Sequence, residues 1–347
     1  MTAHDDREFL DTQPTREDFW RAVILFGRNV ACYKFALAKC LLNLAQAGKT
    51  SIPLTDLAAP FAANVCEHLR LSDKQATSRS SRFLDACRKH NTGQLPADQL
   101  ADAAARLGFN NVIDAFHVVN QGEISTRFFT DDRSGRLPGI VLTDDLFRLL
   151  EGYQGRNFGQ EVEARWRLIE TAWDLGLAAR SLIVEFDPDH ERLFALDRAF
   201  ARRSITSCRD ALNGYQKGKC FYCFADVSVR PEAADLADID HFFPHTLQPH
   251  EPKVNLDGVW NLVLACHGCN RGPEGKFSRL PALPYLERLR KRNTFLIESH
   301  HPLRETLMLQ TGASREDRRG FLQNLYNRSK RMLLHTWQPP HEHAAAF

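Results

Sequence analysis

Apolar residues recur three and four positions apart through most of the first half of this chain, the spacing that lays one face of a helix against a core. One such face runs over residues 19–44, opened by Thr15 with Asp18 three positions on and closed before Gly48. Further helices are predicted from Thr55, with Pro60 in the first turns; over 72–90, stopped by Asn91-Thr92-Gly93; from Pro96 to near Gly108; and over 110–119. The pattern then alternates. Residues 126–130 and 140–142, either side of an Asp-Asp-Arg-Ser-Gly turn ending at Gly135, predict a β-hairpin; residues 182–186 and 192–195, either side of Asp187-Pro188-Asp189-His190, predict a second. Helices return over 144–150, 160–175 and 204–212, the last closed by Asn213-Gly214, and again after Pro284. The tail 341–347 is expected to fray.

Charge adds little over the whole chain, whose 347 residues carry a net +2 with 43% hydrophobic and 25% charged residues, ordinary values for a globular protein. Its distribution says more. From Arg271 onward there are fourteen Lys/Arg and seven Asp/Glu, with basic runs at 288–292 and 315–331, a surface suited to a polyanion or simply to water. The longest apolar stretch, 22–44, is broken by Arg28, Lys34 and Lys39, so no membrane span is expected. The charged N-terminus is unlike a secretory signal. Nine cysteines without such a signal point to a reduced, cytoplasmic setting, with Cys32, Cys40, Cys66, Cys87 and Cys208 as small core residues.

The other four cysteines form two C-x-x-C pairs, Cys220/Cys223 and Cys266/Cys269, separated by 42 residues. Each pair makes a turn that can place two sulfurs on one ion, and two pairs complete a closed tetrahedral Zn²⁺ site of structural type. The competing reading is a pair of redox or core cysteine turns. His267, inside the second pair, is surplus to four thiolates.

Between and after the pairs stand Asp238-Ile239-Asp240-His241-Phe242-Phe243-Pro244-His245, Trp260-Asn261-Leu262 and Cys269-Asn270-Arg271, with Lys276 downstream. In order and spacing this resembles the HNH endonuclease family, also called the His-metal finger or ββα-metal fold, over about residues 219–276. The resemblance implies His241 as general base, since a neutral imidazole can take a proton from water. It implies Asp240 and Asn270 as ligands of a catalytic Mg²⁺ or Mn²⁺, and Asn261 as the amide that holds the finger loop. On a strand Asp240 and His241 point to opposite faces, which suits one holding an ion and the other reaching water. Arg271 and Lys276 are candidate phosphate contacts, each equally readable as a solvated helix residue; Asp238 and His245 are weaker candidates, the first for a metal, the second for the site. The acidic, proline-containing stretch between Pro244 and Trp260 departs from the family pattern.

The expected class is therefore α+β and mostly helical. A helical domain with two hairpins would cover 1–203, a ββα module with zinc knuckles 204–284, and basic helices packing on it 285–347. The implied function is metal-dependent hydrolysis of phosphodiester bonds, with double-stranded DNA as the leading substrate and RNA open. By analogy of layout, protein partners of a restriction or phage-defence system are implied. Alternatives are a nuclease subunit dormant until a partner binds, or a zinc-stabilised nucleic-acid-binding protein without activity. The segment Thr77-Ser78-Arg79-Ser80-Ser81-Arg82 is a further candidate phosphate contact.

Overall fold

The structure, a computed structural model, describes residues 14–26, 31–77, 81–119, 122–175, 183–196, 202–298 and 302–347. The long apolar face near the N-terminus is carried by two helices, α1 (Arg16–Phe26) and α2 (Tyr33–Gln46), with Ala31 paired to Ala76 ahead of the second. A short strand β1 (Ser51–Pro53) leads into α3 (Leu54–Leu71), which accommodates Pro60 in its interior. The helix expected over 72–90 starts only at α4 (Arg82–Asn91): Gln75 is held by its carbonyl on the Cys32 amide, and Ser81 caps α4 by accepting from the Leu84 amide at 3.3 Å. Residues 78–80 of the Arg/Ser segment lie outside the described residues. α5 (Ala97–Leu107) follows Pro96 as expected, whereas the helix expected over 110–119 is one turn, α6 (Val112–Ala115), followed by the paired β2 (Val118–Val119) and β3 (Gly122–Glu123).

The first predicted hairpin is present as β4 (Phe129–Asp132) and β5 (Gly139–Leu142), antiparallel with Phe129 opposite Leu142. β1 adds to the free edge of β5, and Gly139 permits it, because a Cβ there would collide with the Ile52 carbonyl. Two helices, α7 (Asp144–Glu151) and α8 (Phe158–Asp174), close this half.

The second hairpin, β6 (Glu185–Asp187) and β7 (Arg192–Leu196), gains a third antiparallel strand, β8 (Arg202–Ser207). The helix expected from 204 therefore begins later, as α9 (Cys208–Gln216), because Ser204 and Thr206 pair with β7 on either side of a bulge at the β-branched Ile205. α9 also runs through Asn213-Gly214 and stops at Lys217, which takes the left-handed conformation at φ 55°. Beyond it come β9 (Asp238–His241), β10 (Leu262–Ala265), α10 (His267–Arg271), β11 (Leu280–Pro281), α11 (Leu283–Glu298), α12 (Arg304–Thr311), α13 (Arg315–Leu333) and β12 (Thr336–Trp337), the last parallel to β11.

The class is α+β and mostly helical, with two hydrophobic cores. Trp20, Phe35, Phe61, Phe128 and Trp166 centre the first; Phe221, Phe242, Trp260, Leu289 and Leu325 centre the second. α8 is the shared wall, giving Trp166 and Ile169 to one and Leu168 and Ala172 to the other. The strands β6–β8 pack with the second core through Phe186, Leu193 and Ile205, so the division expected after residue 203 falls inside β8. The tail does not fray. Phe347 packs against Tyr215 and Phe224, and the His343 amide donates to the Cys223 carbonyl at 2.8 Å. No described helix is long and apolar enough to cross a membrane.

Candidate metal centre and active site

The first cysteine pair sits on a tight turn. The Cys220 amide donates to the Ala225 carbonyl, the Phe224 amide donates back to the Cys220 carbonyl, and Phe224 takes φ 60° to complete the bend. The second pair straddles the start of α10, where the Cys269 amide donates to the Cys266 sulfur at 3.4 Å. A bond from the Phe221 amide to the Leu264 carbonyl (2.8 Å) ties the first turn to β10 and brings the pairs together. The four Sγ atoms lie within 4.8 Å of one another, with Cys223 and Cys266 3.7 Å apart. Such a cluster cannot carry four negative charges unaided. Hydrogen bonds from its neighbours hold the Cys266 thiol far below the ordinary range, while burial pushes Cys220 up and hydrogen bonds to its neighbours push Cys269 up. Four converging thiols that can ionise together only against a cation are the donor set of a structural zinc site, and these residues fit Zn²⁺.

β9 and β10 pair antiparallel beside this cluster, with His241 opposite Leu262 and Asp238 opposite Ala265. Exposure alternates along β9: Asp238 and Asp240 are buried, and Ile239 and His241 are half-buried on the other face. The alternation sorts the expected site residues into three groups rather than one.

The first group surrounds Asp240. Its Oδ2 accepts from the Tyr222 hydroxyl at 2.6 Å and its Oδ1 from the Lys276 ammonium at 3.1 Å, with Lys276 fully buried. Lys276 arrives there because the loop after α10 folds back: its amide donates to the Cys269 carbonyl at 2.6 Å, and Phe277 donates to the Asn270 carbonyl at 2.9 Å. Gly275 permits the fold, since a Cβ would meet the Gly272 and Arg271 amides below 3 Å. Lys276 thus points inward to Asp240, which has no other ion-pair partner among the described residues. Burial, together with Asp240, holds the Tyr222 phenol well above its ordinary value, so it stays a neutral donor.

The second group joins β9 to α10 through Asp238, not Asp240. Asn270 donates to Asp238 Oδ2 at 3.1 Å and Arg271 to Oδ1 at 2.7 Å, with His267 at 3.8 Å. The expected divalent-ion pair, Asp240 with Asn270, is therefore divided between two clusters. Both Asp240 oxygens already have donors, so the side chains as placed do not fit a catalytic Mg²⁺ or Mn²⁺ on that pair.

The third group belongs to His241. Its Nε2 lies 2.8 Å from Asp257 Oδ1, His245 Nε2 lies 3.5 Å from the other Asp257 oxygen, and Phe186 of β6 presents its edge to the ring. Burial holds the His241 imidazole below its ordinary value, against the opposing pull of Asp257. The neutral form of the His241 imidazole is therefore favoured. Asn261, fully buried, accepts from the Phe243 amide (2.8 Å) and donates to the Phe243 and Leu256 carbonyls (3.0 and 2.8 Å), so it ties the end of β9 to the loop carrying Asp257. Asp257 was missed in the sequence because nothing in the local pattern distinguishes it from an acidic loop residue; only the folding of the loop brings it to His241.

Basic residues after 284 divide similarly. Arg288 stacks over Phe224 at 4.1 Å and donates to the Phe221 and Tyr222 carbonyls, and Arg292 is buried on the Val259 and Trp260 carbonyls. Lys291, Arg319, Lys330 and Arg331 are exposed. Comparison with protein-family models, with curated proteins and with solved structures finds no match to this chain.

Proposed function

We propose that this protein hydrolyses phosphodiester bonds as an HNH-type endonuclease, with DNA as the first substrate to test. One observation carries the reading: a half-buried histidine held neutral at the end of β9, on a strand–loop–strand–helix frame stapled by four converging cysteines. In this reading His241 takes a proton from water, the water oxygen forms the new bond to phosphorus, and the bond to the 3′ oxygen breaks, that oxygen taking a proton from solvent. The product ends are a 5′-phosphate and a 3′-hydroxyl. Zn²⁺ on Cys220, Cys223, Cys266 and Cys269 would fix the turn that carries Tyr222 and the helix that carries Asn270. Exposed Arg271, Lys330 and Arg331 supply positive charge to a polyanion.

A second reading has its own support. With Asp240 closed by Lys276 and Tyr222, the chain would be dormant alone and opened by a partner, such as a subunit of a restriction or defence assembly.

The test is incubation of the purified zinc-loaded chain with supercoiled plasmid and Mg²⁺ or Mn²⁺. Nicking or linearisation by the wild type is expected, with at least about a hundred-fold loss in His241→Ala, the contribution typical of a general base. Equal rates for the two proteins would overturn His241 as the base, and no cleavage by either would favour the dormant reading.

A further inference from the structure

We infer that Asp257 is the positioning residue of this site, the group that fixes the tautomer and rotation of His241; as a statement about hydrolysis this rests on the phosphodiesterase reading. A carboxylate can only accept, so the 2.8 Å bond between Asp257 Oδ1 and His241 Nε2 places the imidazole proton on Nε2. The lone pair of the neutral ring is then on Nδ1, the nitrogen that Asp257 does not cover. A histidine free to exchange tautomers would offer that lone pair only part of the time and in no fixed direction.

The loop is built to hold Asp257 still. Its amide donates to Asn255 Oδ1 at 3.0 Å; the preceding Leu256 amide donates to Gln248 Oε1 at 2.9 Å, and the Leu256 carbonyl accepts from Asn261. The next residue, Gly258, leaves room that a Cβ would deny, meeting the Trp260 indole at 2.5 Å. Trp260 Nε1 in turn donates to the Asn255 carbonyl at 3.1 Å. Asn261 also grips Phe243, two residues beyond His241, so a single buried amide sets the distance between the base and its carboxylate. The stretch between Pro244 and Trp260, which departs from the family pattern in sequence, is the part of the frame that supplies the carboxylate.

Outside this cluster, His245 reaches only the far oxygen of Asp257, at 3.5 Å, beyond a good hydrogen bond. It leaves Oδ1 to His241.

The experiment has two arms on the full zinc-loaded chain. Long-range ¹H–¹⁵N spectra of ¹⁵N-histidine protein, with His241 assigned by comparison with His241→Gln, report the tautomer without any need for activity. The wild type is expected to hold the Nε2–H form and Asp257→Ala to lose that preference; an Nδ1–H wild type, or an unchanged Nε2–H form in Asp257→Ala, overturns the inference. In the cleavage assay Asp257→Ala is expected to lose about 10–100-fold in kcat with KM within about two-fold, as loss of a supporting carboxylate does elsewhere. Asp257→Asn, whose Oδ1 can still accept, should recover part of the loss. Full kcat in Asp257→Ala overturns the inference as well, whereas absence of cleavage in wild type favours the dormant reading and leaves the spectra to decide the role of Asp257. Zinc content and unfolding midpoint show that each variant is folded, and Asp257→Asn serves both arms if the alanine variant is not.

Discussion

At the scale of single residues, the site separates charges that the motif lists side by side. Asp240 and His241 are neighbours in sequence, yet strand geometry sends one into a buried cluster with Tyr222 and Lys276 and the other toward Asp257. The Asp240–Lys276 pair is almost fully enclosed, with side-chain exposures of 7% and 1%. Removing one member leaves the other as an unpaired buried charge, which costs about 3–5 kcal/mol in comparable sites. Lys276→Ala is therefore expected to lower unfolding stability by an amount of that order in urea titration. A loss below about 1 kcal/mol would mean that Lys276 is not buried on Asp240 in solution and could reach phosphate. The four zinc-type cysteines are the residues whose clustering the sequence pattern anticipated most directly. Asp257 shows the opposite, since no spacing rule links positions 241 and 257.

At the scale of elements, α8 and α9 form the junction between the two cores. Glu161 of α8 accepts two bonds from Arg21 of α1, at 2.8 and 2.7 Å, and one from Asn213 of α9 at 2.9 Å. Asp210, in the first turn of α9, is less well served. Its buried Oδ1 has no hydrogen-bond partner among the described residues, and burial, aided by Glu161, pushes its carboxyl up from 3.8 to about 7. An acid raised in the folded state contributes stability that is whole below 3.8, is lost as pH rises toward 7, and is level above that. Stability should therefore fall across pH 4–7 in a buffer series. Asp210→Asn should flatten that slope and raise stability at pH 8 by on the order of 2 kcal/mol, less than the roughly 4 kcal/mol of the shift itself because the new amide still lacks a partner. An unchanged pH slope would place the Asp210 carboxyl in contact with water. The late start of α9 belongs to this scale too: local pattern favoured helix from 204, and pairing of β8 with β7 prevailed.

At the scale of the molecule, the second core gathers residues from Leu168 to Trp337, far more chain than the knuckle region alone. The zinc-type cluster sits inside it, with Phe347 covering the first turn and Arg288 bonded to that turn's carbonyls. Loss of zinc should consequently loosen the whole second half. One zinc per chain is expected by elemental analysis. Chelation or Cys269→Ser should lower the unfolding temperature by several degrees and release the tail to proteolysis, while the near-ultraviolet signal of the first core, with Trp20 and Trp166, is retained. A metal-free protein of unchanged melting temperature would refute a structural zinc.

The sequence by itself determined what local chemistry can determine. Periodicity fixed most helices and the β4–β5 hairpin, because a helix or hairpin buries a face set by residues a few positions apart. Two short cysteine spacings announced a four-sulfur site, because each pair is a local turn. Tertiary structure alone decided the rest. It joined β1 to β5 and β8 to β7, sent Lys276 to Asp240 and Asn270 to Asp238, and closed the 245–258 loop so that Asp257 meets His241. Apart from the shorter-range β7–β8 pairing, those contacts join residues separated by 16 to about 90 positions. Which partner a buried charge or an unpaired strand edge finds depends on how the cores close around it, and that is not written in the spacing near either residue.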